Sequence, residues 1–532
     1  MSVGTLARAG LIVSAAFALS RVLGWVRVAV IGAIFDAGPE LDAFYAAFRI
    51  PDLIFQLVAA GALSSALVPI VSGLLATGEP ARAWRIVSSV ANLMLVALLG
   101  LSGLFFLGAP AIVPLIADFE GEQLEQTIEL TRIMLASPIL LALGAVATSA
   151  LNAGGRFAAA AMAPVTYNVG IIFGAVVLAP AMGSMIDGRV VADPAGVAVG
   201  VVIGSLGHLA IQLRPLARLG YRHERRVDLG EPLARKALAL LAPRAIGLGA
   251  GQITFVAMTV YATGLPGDGA LTAFYFAMTL LQIPLGVLGV PLGIVLLPAL
   301  SRELAGGTVA HYLGMIGRAL RLLTFLMIPI AALGMILRVE VVALLFGWGA
   351  FSEEAIRLTA DTLMVFLLGL AAHALIAVLA RAFYAGQDTR TPVTAAIVAV
   401  VVNVTIGALA VGPFGLRGLA FAIAAGAWIE AGILLAILRR RHAALDVGGL
   451  GVTLLKAGIG AGVAAALALA VLGALDGALP VGSGKLAELG RLVVAGGIGA
   501  VGYLAMSLVL RAPELPALVD VASGLVRRPR GS

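Results

Sequence analysis

Apolar residues in this chain arrive in long blocks separated by short polar loops. The blocks run roughly 20 to 30 residues, enough to cross about 30 Å of hydrocarbon at about 1.5 Å per helical residue. Their limits predict fourteen membrane-spanning helices, at 6–34, 41–75, 83–116, 124–152, 157–183, 192–217, 234–263, 268–303, 310–337, 354–386, 390–413, 416–440, 452–475 and 488–511. Boundaries drawn from one sequence shift by several residues. The stretch from Met1 to Gly10 precedes the first block without a convincing small-residue cleavage site, which reads as a retained first span and not a signal peptide. An even number of spans returns both termini to one side.

The loops say which side. Arg214, Arg218, Arg222, Arg225, Arg226, Arg235 and Lys236 lie between spans six and seven, counting their ends. Arg439, Arg440 and Arg441 lie between spans twelve and thirteen, and Arg527, Arg528 and Arg530 lie in the tail. The opposite loops hold mainly acids, Asp36, Asp118, Glu120, Glu122, Asp187, Asp268, Glu353, Glu354 and Asp476, with few bases such as Arg189, Arg417 and Lys485. Basic residues stay on the cytoplasmic side, so both termini are predicted there.

The pattern also repeats. Pro69-Ile-Val-Ser72-Gly-Leu-Leu75 closes span two and Pro298-Ala-Leu-Ser301-Arg-Glu-Leu304 closes span eight. Ala150-Leu-Asn-Ala-Gly154 and Ala382-Phe-Tyr-Ala-Gly386 end spans four and ten, and Asn168-Val169 is echoed by Asn403-Val404 in spans five and eleven. Each pair is six spans apart. The reading is an all-α integral membrane protein with two six-helix parallel repeats around a central cavity, followed by two more helices. Its parts are an N-terminal lobe over 1–220, a C-terminal lobe over 221–442, and two further spans with a basic cytoplasmic tail over 443–532. The alternative is chance similarity in Ala-, Gly- and Leu-rich sequence.

Composition agrees. The 532 residues are 61% hydrophobic and 12% charged, against about a quarter charged for a soluble domain. There is no cysteine, which excludes disulfides and thiolate metal sites, and the five histidines (His208, His223, His311, His373, His442) form no cluster. No metal, cofactor or catalytic residue is expected, and with no paired carboxylates or Ser/His set at matching depth the chain does not read as an enzyme. The net charge of +7 sits between apolar blocks, which points to membrane topology and away from a nucleic-acid partner.

Charges inside the spans are the candidate chemistry. Ser20-Arg21-Val-Leu-Gly24-Trp25-Val-Arg27 puts two arginines in an apolar block. Each costs about 2.5 to 3.5 kcal/mol at a span centre unless it faces a wet cavity or a partner. Six residues rotate a regular helix by about 240°, so Arg21 and Arg27 share a face only if Gly24 lets the helix bend. Arg27 has a second reading, a side chain snorkelling to the outer interface. In span two, Asp42 and Arg49 are seven apart, on nearly one face and about 10 Å apart along it. Arg49 and Asp52 sit at i, i+3 and can pair, beside a kink expected at Pro51. The five substrate-binding candidates are therefore Arg21, Arg27, Arg49, Asp42 and Asp52, with an internal Arg49–Asp52 pair as the alternative for the last two turns. Arg132, Arg244, Glu354, Arg357 and Asp361 read better as interfacial anchors.

These residues carry a resemblance. Ser20 to Ser72 resembles the opening of the MurJ (MviN) family of lipid II flippases, in the superfamily of multidrug and polysaccharide exporters. The matching pieces are Ser20–Arg27, Phe35-Asp-Ala-Gly38, Asp42-Ala43-Phe44, Ala47-Phe48-Arg49-Ile-Pro51 and Gly61 to Pro69. Leu151-Asn152-Ala-Gly-Gly-Arg156-Phe157 with Pro164 and Asn168, Pro284-Leu-Gly286 through Pro298 and Ser301, and Arg381 to Pro392 continue it. The resemblance implies a two-lobed bundle with a cationic cavity that alternates between inward and outward openings. It implies a polyprenyl-pyrophosphate-linked cell-wall precursor, undecaprenyl-pyrophosphate saccharide such as lipid II, moved across a bacterial inner membrane for peptidoglycan synthesis. Membrane lipids and cell-wall synthesis proteins are the implied partners, and the last two helices border a groove for the lipid tail. Arg21, Arg27 and Asp42 fall on the family's first- and second-span charges.

Departures keep other cargoes open. Phe55 stands where the family usually has an arginine, Ala59-Ala60-Gly61 replaces Ala-Glu-Gly, and Met278-Thr279-Leu280-Leu281-Gln282 replaces Asp-Arg-Leu-x-Glu. Val28 and Met258 also stand at positions that are often polar. The alternatives are a flippase or ion-coupled exporter for another lipid-linked saccharide or a drug, and a non-transporting membrane scaffold.

Overall fold

Backbone in hydrocarbon must satisfy its own N–H and C=O groups, which a helix does within one segment. Each apolar block is accordingly helical in the computed structural model, which describes residues 3–58, 62–186, 188–225, 227–228, 230–477, 484–516 and 518. Ala59, Ala60, Gly61, Asp187, Arg226, Arg527, Arg528 and Arg530, and the side chains of Lys236 and Arg244, lie outside the described residues. The chain forms two compact units, Met1–Thr272 with Trp348–Ser352, and Ala273–Gly347 with Glu353–Ser532.

The first unit contains α1 (Val3–Phe35), α2 (Pro39–Val58), α3 (Ala62–Ala76), α4 (Pro80–Ile116), α5 (Gly121–Met134), α6 (Ala136–Ala153), α7 (Phe157–Phe173), the short α8 (Ala179–Met182), α9 (Pro194–Arg218) and α10 (Pro232–Thr263). Between α8 and α9, Ser184–Ile186 and Arg189–Val191 pair as a two-stranded antiparallel hairpin. The core lies among α3, α4 and α6 around Leu67, Trp84, Leu98 and Val146. α10 packs on α2, α3 and α4, and α1 packs on α7. α7 and α9 touch backbone to backbone, because a side chain at Gly200 would strike the Cα of Gly174 and one at Gly204 the carbonyl of Tyr167.

The second unit contains α11 (Ala270–Pro284, which starts in the first unit), α12 (Val290–Ala305), α13 (Val309–Ile336), α14 (Arg338–Leu345), α15 (Glu353–Leu367), α16 (Leu370–Ala385), α17 (Arg390–Arg441), α18 (Val447–Leu475) and α19 (Lys485–Val509). As one straight rod the 52 residues of α17 would run about 78 Å, far beyond a bilayer. Gly415, at φ 55° and ψ −138°, breaks it. Gly418 then backs onto Ala410 and Gly426 onto Asn403, so the two halves run side by side. α18 packs on α13 and α19 on α18 and α14. A buried ion pair fastens them, with Arg491 Nη2 3.0 Å from Glu340 Oε1.

Among the described residues ten helices are long and apolar enough to cross a membrane, or eleven with α15 and α16 as one span bent by 47°. That is fewer than the fourteen spans expected. α17 counts once despite its break, and α10 is not among the ten. α2 carries Glu40, Asp42, Arg49 and Asp52, and α3 has only 15 residues. The chain is a multi-pass, all-α membrane protein.

The repeated motifs end their helices with the same hydrogen bonds. After α6, Gly155 N–H donates to Asn152 (3.1 Å) and Arg156 N–H to Leu151 (2.8 Å). After α16, Gln387 N–H donates to Tyr384 and Asp388 N–H to Phe383, both at 3.0 Å. Both are Schellman caps, and Gly155 and Gln387 hold the positive φ that the cap demands. α3 and α12 end likewise, with Gly78 and Gly307 in that role and the i to i−5 bonds Glu79→Leu74 and Thr308→Glu303.

Candidate functional site

A polar cavity of about 240 Å³ opens inside the first unit, lined by Arg27 of α1, Phe48, Pro51, Asp52 and Phe55 of α2, Ser137 and Leu141 of α6, and Tyr167 of α7. The register of α1 is fixed from α7. Asn168 sits one residue beyond Tyr167, and its Nδ2 donates to the Ser20 carbonyl at 3.3 Å and to Pro164 of its own helix at 3.0 Å. Its Oδ1 lies 4.0 Å from where a Cβ on Gly24 would be. On the unbroken α1, the six residues from Arg21 to Arg27 rotate by about 240°, so the two arginines point different ways.

Arg27 reaches the cavity and makes no ion pair or hydrogen bond among the described residues. Arg21 is exposed and does not line it. α1 runs unbroken from Val3 to Phe35, so no break at Gly24 joins the two faces.

Asp52 lines the cavity beside Arg27 and looks back toward Arg49, whose Nη1 is 3.9 Å from Asp52 Oδ2. Arg49 is only 4% exposed, and its guanidinium lies over the Phe255 ring of α10, 5.4 Å from the centroid. It therefore sits behind the cavity wall, tying α2 to α10. Asp42 is placed apart again. Its Oδ1 accepts from Thr272 N (2.7 Å) and Thr272 Oγ1 (2.6 Å), and its Oδ2 accepts from Gly269 N (2.9 Å). With the carboxylate 4% exposed, these three donors replace its water. Of the five candidates the structure brings Arg27 and Asp52 together in the cavity, with Arg49 behind Asp52, and leaves Arg21 and Asp42 elsewhere.

Ser137 and Tyr167 were not legible as cavity residues. Each is a single hydroxyl in an apolar block, and such hydroxyls more often bond their own helix, as Thr127 does to Gln123 and Ser149 to Ala145. The one signal was the neighbouring Asn168. The apolar departures are consistent with this arrangement, since Val28 and Met258 are buried and Phe55 forms part of the wall. Among the anchors, Arg132 donates to the Phe106 carbonyl at 3.1 Å and stacks on that ring, and Arg357 lies 3.8 Å from Glu353.

No group of three or more His, Cys, Asp or Glu that could hold a metal ion occurs among the described residues. The cavity offers one uncompensated guanidinium, one carboxylate and two hydroxyls, walled by apolar side chains. Arg27 and the two hydroxyls bring hydrogen-bond donors to the cavity, and Asp52 brings acceptors.

The architecture is that of a multi-pass, all-α membrane protein. A solved multidrug resistance MATE family transporter of the MOP superfamily, in an inward-facing conformation, aligns with a TM-score of 0.66 at 16% identity, over 80% of this chain and 95% of that one. A solved lipid II flippase MurJ in an inward closed conformation aligns with a TM-score of 0.74 at 21% identity, over 94% of this chain and 99% of that one. These likenesses concern the fold.

Sequence narrows the class to a family. The model of the family described as lipid II flippase MurJ matches residues 31–483. A probable lipid II flippase MurJ of Rhizobium tropici is 31% identical over 431 residues, 79% of each chain. The lipid II flippase MurJ of Burkholderia cenocepacia is 31% identical over 443 residues, 82% of this chain and 84% of that one. The chain belongs to the MurJ family of lipid II flippases.

Proposed function

We propose that this chain flips lipid II, a polyprenyl-pyrophosphate-linked precursor of peptidoglycan, from the cytoplasmic to the outer leaflet of the bacterial inner membrane. The observation that carries the reading is Arg27, a guanidinium inside a membrane-spanning unit without an ion-pair partner among the described residues. A charge so placed is costly until an anion enters, and a pyrophosphate supplies oxygens that a guanidinium binds through two parallel hydrogen bonds. Ser137 and Tyr167 add hydroxyl donors, while Asp52 accepts from a sugar hydroxyl and is restrained by Arg49. A cavity of about 240 Å³ suits the diphosphate and not the whole saccharide, so the rest of the head group lies outside it.

Arg21 attracts the head group toward the site, and Asp42 contributes by holding the start of α2. Binding moves the protein between inward and outward openings only to the extent that the cargo binds the two forms unequally. Both termini face the cytoplasm, as the Arg-rich loops favour. Cell-wall synthesis proteins then consume the product on the outer side. The work is transport, with no chemical conversion.

The test is complementation of a bacterium depleted of its own lipid II flippase, at equal membrane expression of parent, Arg27→Ala, Arg27→Lys and Arg21→Ala. The parent rescues, Arg27→Ala fails and Arg27→Lys rescues partially, because a point charge replaces the fork. Rescue by Arg27→Ala sinks the site. Failure of a well-expressed parent that still binds a different polyprenyl-pyrophosphate saccharide supports the second reading, a flippase for another lipid-linked saccharide. Phe55 favours that reading, since it walls the cavity where an arginine is usual for lipid II carriers.

A further inference from the structure

The second unit carries an apolar groove of about 510 Å³ that the reading above does not use. Val365 and Leu368 form one wall, Leu409 and Phe414 of the first half of α17 another, and Arg417 and Phe421 follow after the break at Gly415. Arg417 is the one charged residue among those lining it.

Close backbone packing shapes both walls of the groove. The left-handed Gly415 turns the chain back, and Gly418 backs directly onto Ala410, so nothing larger fits between the two halves of α17. On the other wall, α15 and α16 break at Leu368 and Gly369. The carbonyl freed there accepts from Trp428 Nε1 at 2.8 Å, and a Cβ on Gly369 would stand 2.8 Å from the Ala424 Cα.

At the groove's end the charges are unequal. Arg417 contacts Asp361, and Asp361 also accepts from Arg338 Nε at 3.4 Å. Two guanidinium groups share one carboxylate. Arg417 remains 57% exposed, with most of its five donors unspent. The acids Glu353 and Glu354 line a separate shallow pocket with Arg357 and Asp361, and do not line the groove.

We propose that this groove binds one phospholipid with an anionic headgroup, its acyl chain along Leu368, Leu409 and Phe421 and its phosphate on Arg417. α15 and α16 together are long and apolar enough for one bent span, and α17 is apolar on both sides of Gly415, so the medium facing the groove is acyl chain. The surplus positive charge at the end selects a headgroup with net negative charge.

The experiment uses the full chain, purified in detergent and stripped of lipid. Dioleoyl phosphatidylglycerol or dioleoyl phosphatidylcholine is titrated in, and retained lipid is counted by native mass spectrometry for the parent, Arg417→Gln and Leu409→Trp. The parent is expected to retain phosphatidylglycerol about fivefold better, the effect of one basic residue near an anionic surface. Arg417→Gln removes that preference and keeps some retention of both lipids. Leu409→Trp fills the groove and lowers retention of both. Arg338 keeps Asp361 paired in the first variant, and Leu409 is 74% exposed, so the second meets no core. A parent without headgroup preference, a preference that survives Arg417→Gln, or unchanged retention in Leu409→Trp overturns the proposal.

Discussion

Asp42 and Thr272 are 230 residues apart and share two hydrogen bonds, Thr272 N and Oγ1 both donating to Asp42 Oδ1 at 2.7 and 2.6 Å. Gly269 N completes the set on Oδ2. The carboxylate also stands in the first turn of α2, where the helix dipole favours it. Asp42→Asn keeps one acceptor but turns an amide N–H₂ against a backbone N–H. Charged hydrogen bonds of this kind contribute about 1.5 to 3 kcal/mol each, so a loss of about 2 kcal/mol or more is expected. Thr272→Val removes the hydroxyl bond alone and loses about 1.5 to 3 kcal/mol. Thermal melts of the purified variants check both, and equal melting of Asp42→Asn and parent would show that the bonds contribute nothing net.

Arg49 and Asp52 are predicted to couple. Arg49 is 4% exposed but Asp52 is 24% exposed and lines the cavity beside Arg27, so losing Arg49 costs less than the roughly 3 to 5 kcal/mol of a fully buried pair, about 1 to 3 kcal/mol. Arg49→Met should therefore melt well below the parent, while Arg49→Met with Asp52→Asn recovers most of the loss. A double-mutant cycle reads the coupling directly. Additive losses would mean that the two side chains act independently.

Tyr167→Phe keeps the ring and removes one hydroxyl from the cavity. Binding of a soluble pyrophosphate analogue is expected to weaken about three- to tenfold, the effect of one hydrogen bond, with the melting temperature unchanged. Unchanged binding would take Tyr167 out of the site.

Glu340→Gln tests how α19 is held. Arg491 is 3% exposed and uses Nε and Nη2 on Glu340 and Nη1 on Asp476, at 3.2, 3.0 and 2.8 Å. Neutralising Glu340 removes the carboxylate that takes two of the three hydrogen bonds given above for the buried Arg491. Hydrogen exchange should rise in α18 and α19 first, because they reach α14 through this pair. Exchange that rises uniformly would argue against a local fastening.

The loop before α17 gives a pH dependence. Burial alone would raise the Asp388 carboxyl, but the Thr391 hydroxyl and backbone N–H and the Arg441 guanidinium outweigh it and hold it at about 2. An Asp held lower in the folded than in the unfolded chain, where it titrates near 3.9, stabilises above that pH. The contribution is lost as pH falls through about 2. The difference in melting temperature between parent and Asp388→Asn should be constant above about pH 5 and shrink between about pH 4 and 2. A difference independent of pH would assign the effect to packing.

The helical character of the apolar blocks and the class of protein were legible in the sequence, because each rests on local rules. An apolar block long enough to cross hydrocarbon must be helical, and the motifs ending in Gly154 and Gly386 encode their caps within a few residues. Pairs at i, i+3 were legible for the same reason, and Arg49 does meet Asp52. Tertiary structure alone decided what lies across helices. It assigned Asp42 to Thr272, set Arg49 over Phe255, and put Arg27 but not Arg21 on the cavity. Spacing along one helix fixes the angle between side chains and not the direction of either, which depends on what the neighbouring helix offers. The hydroxyls of Ser137 and Tyr167 line one cavity with Arg27 only because four helices meet there.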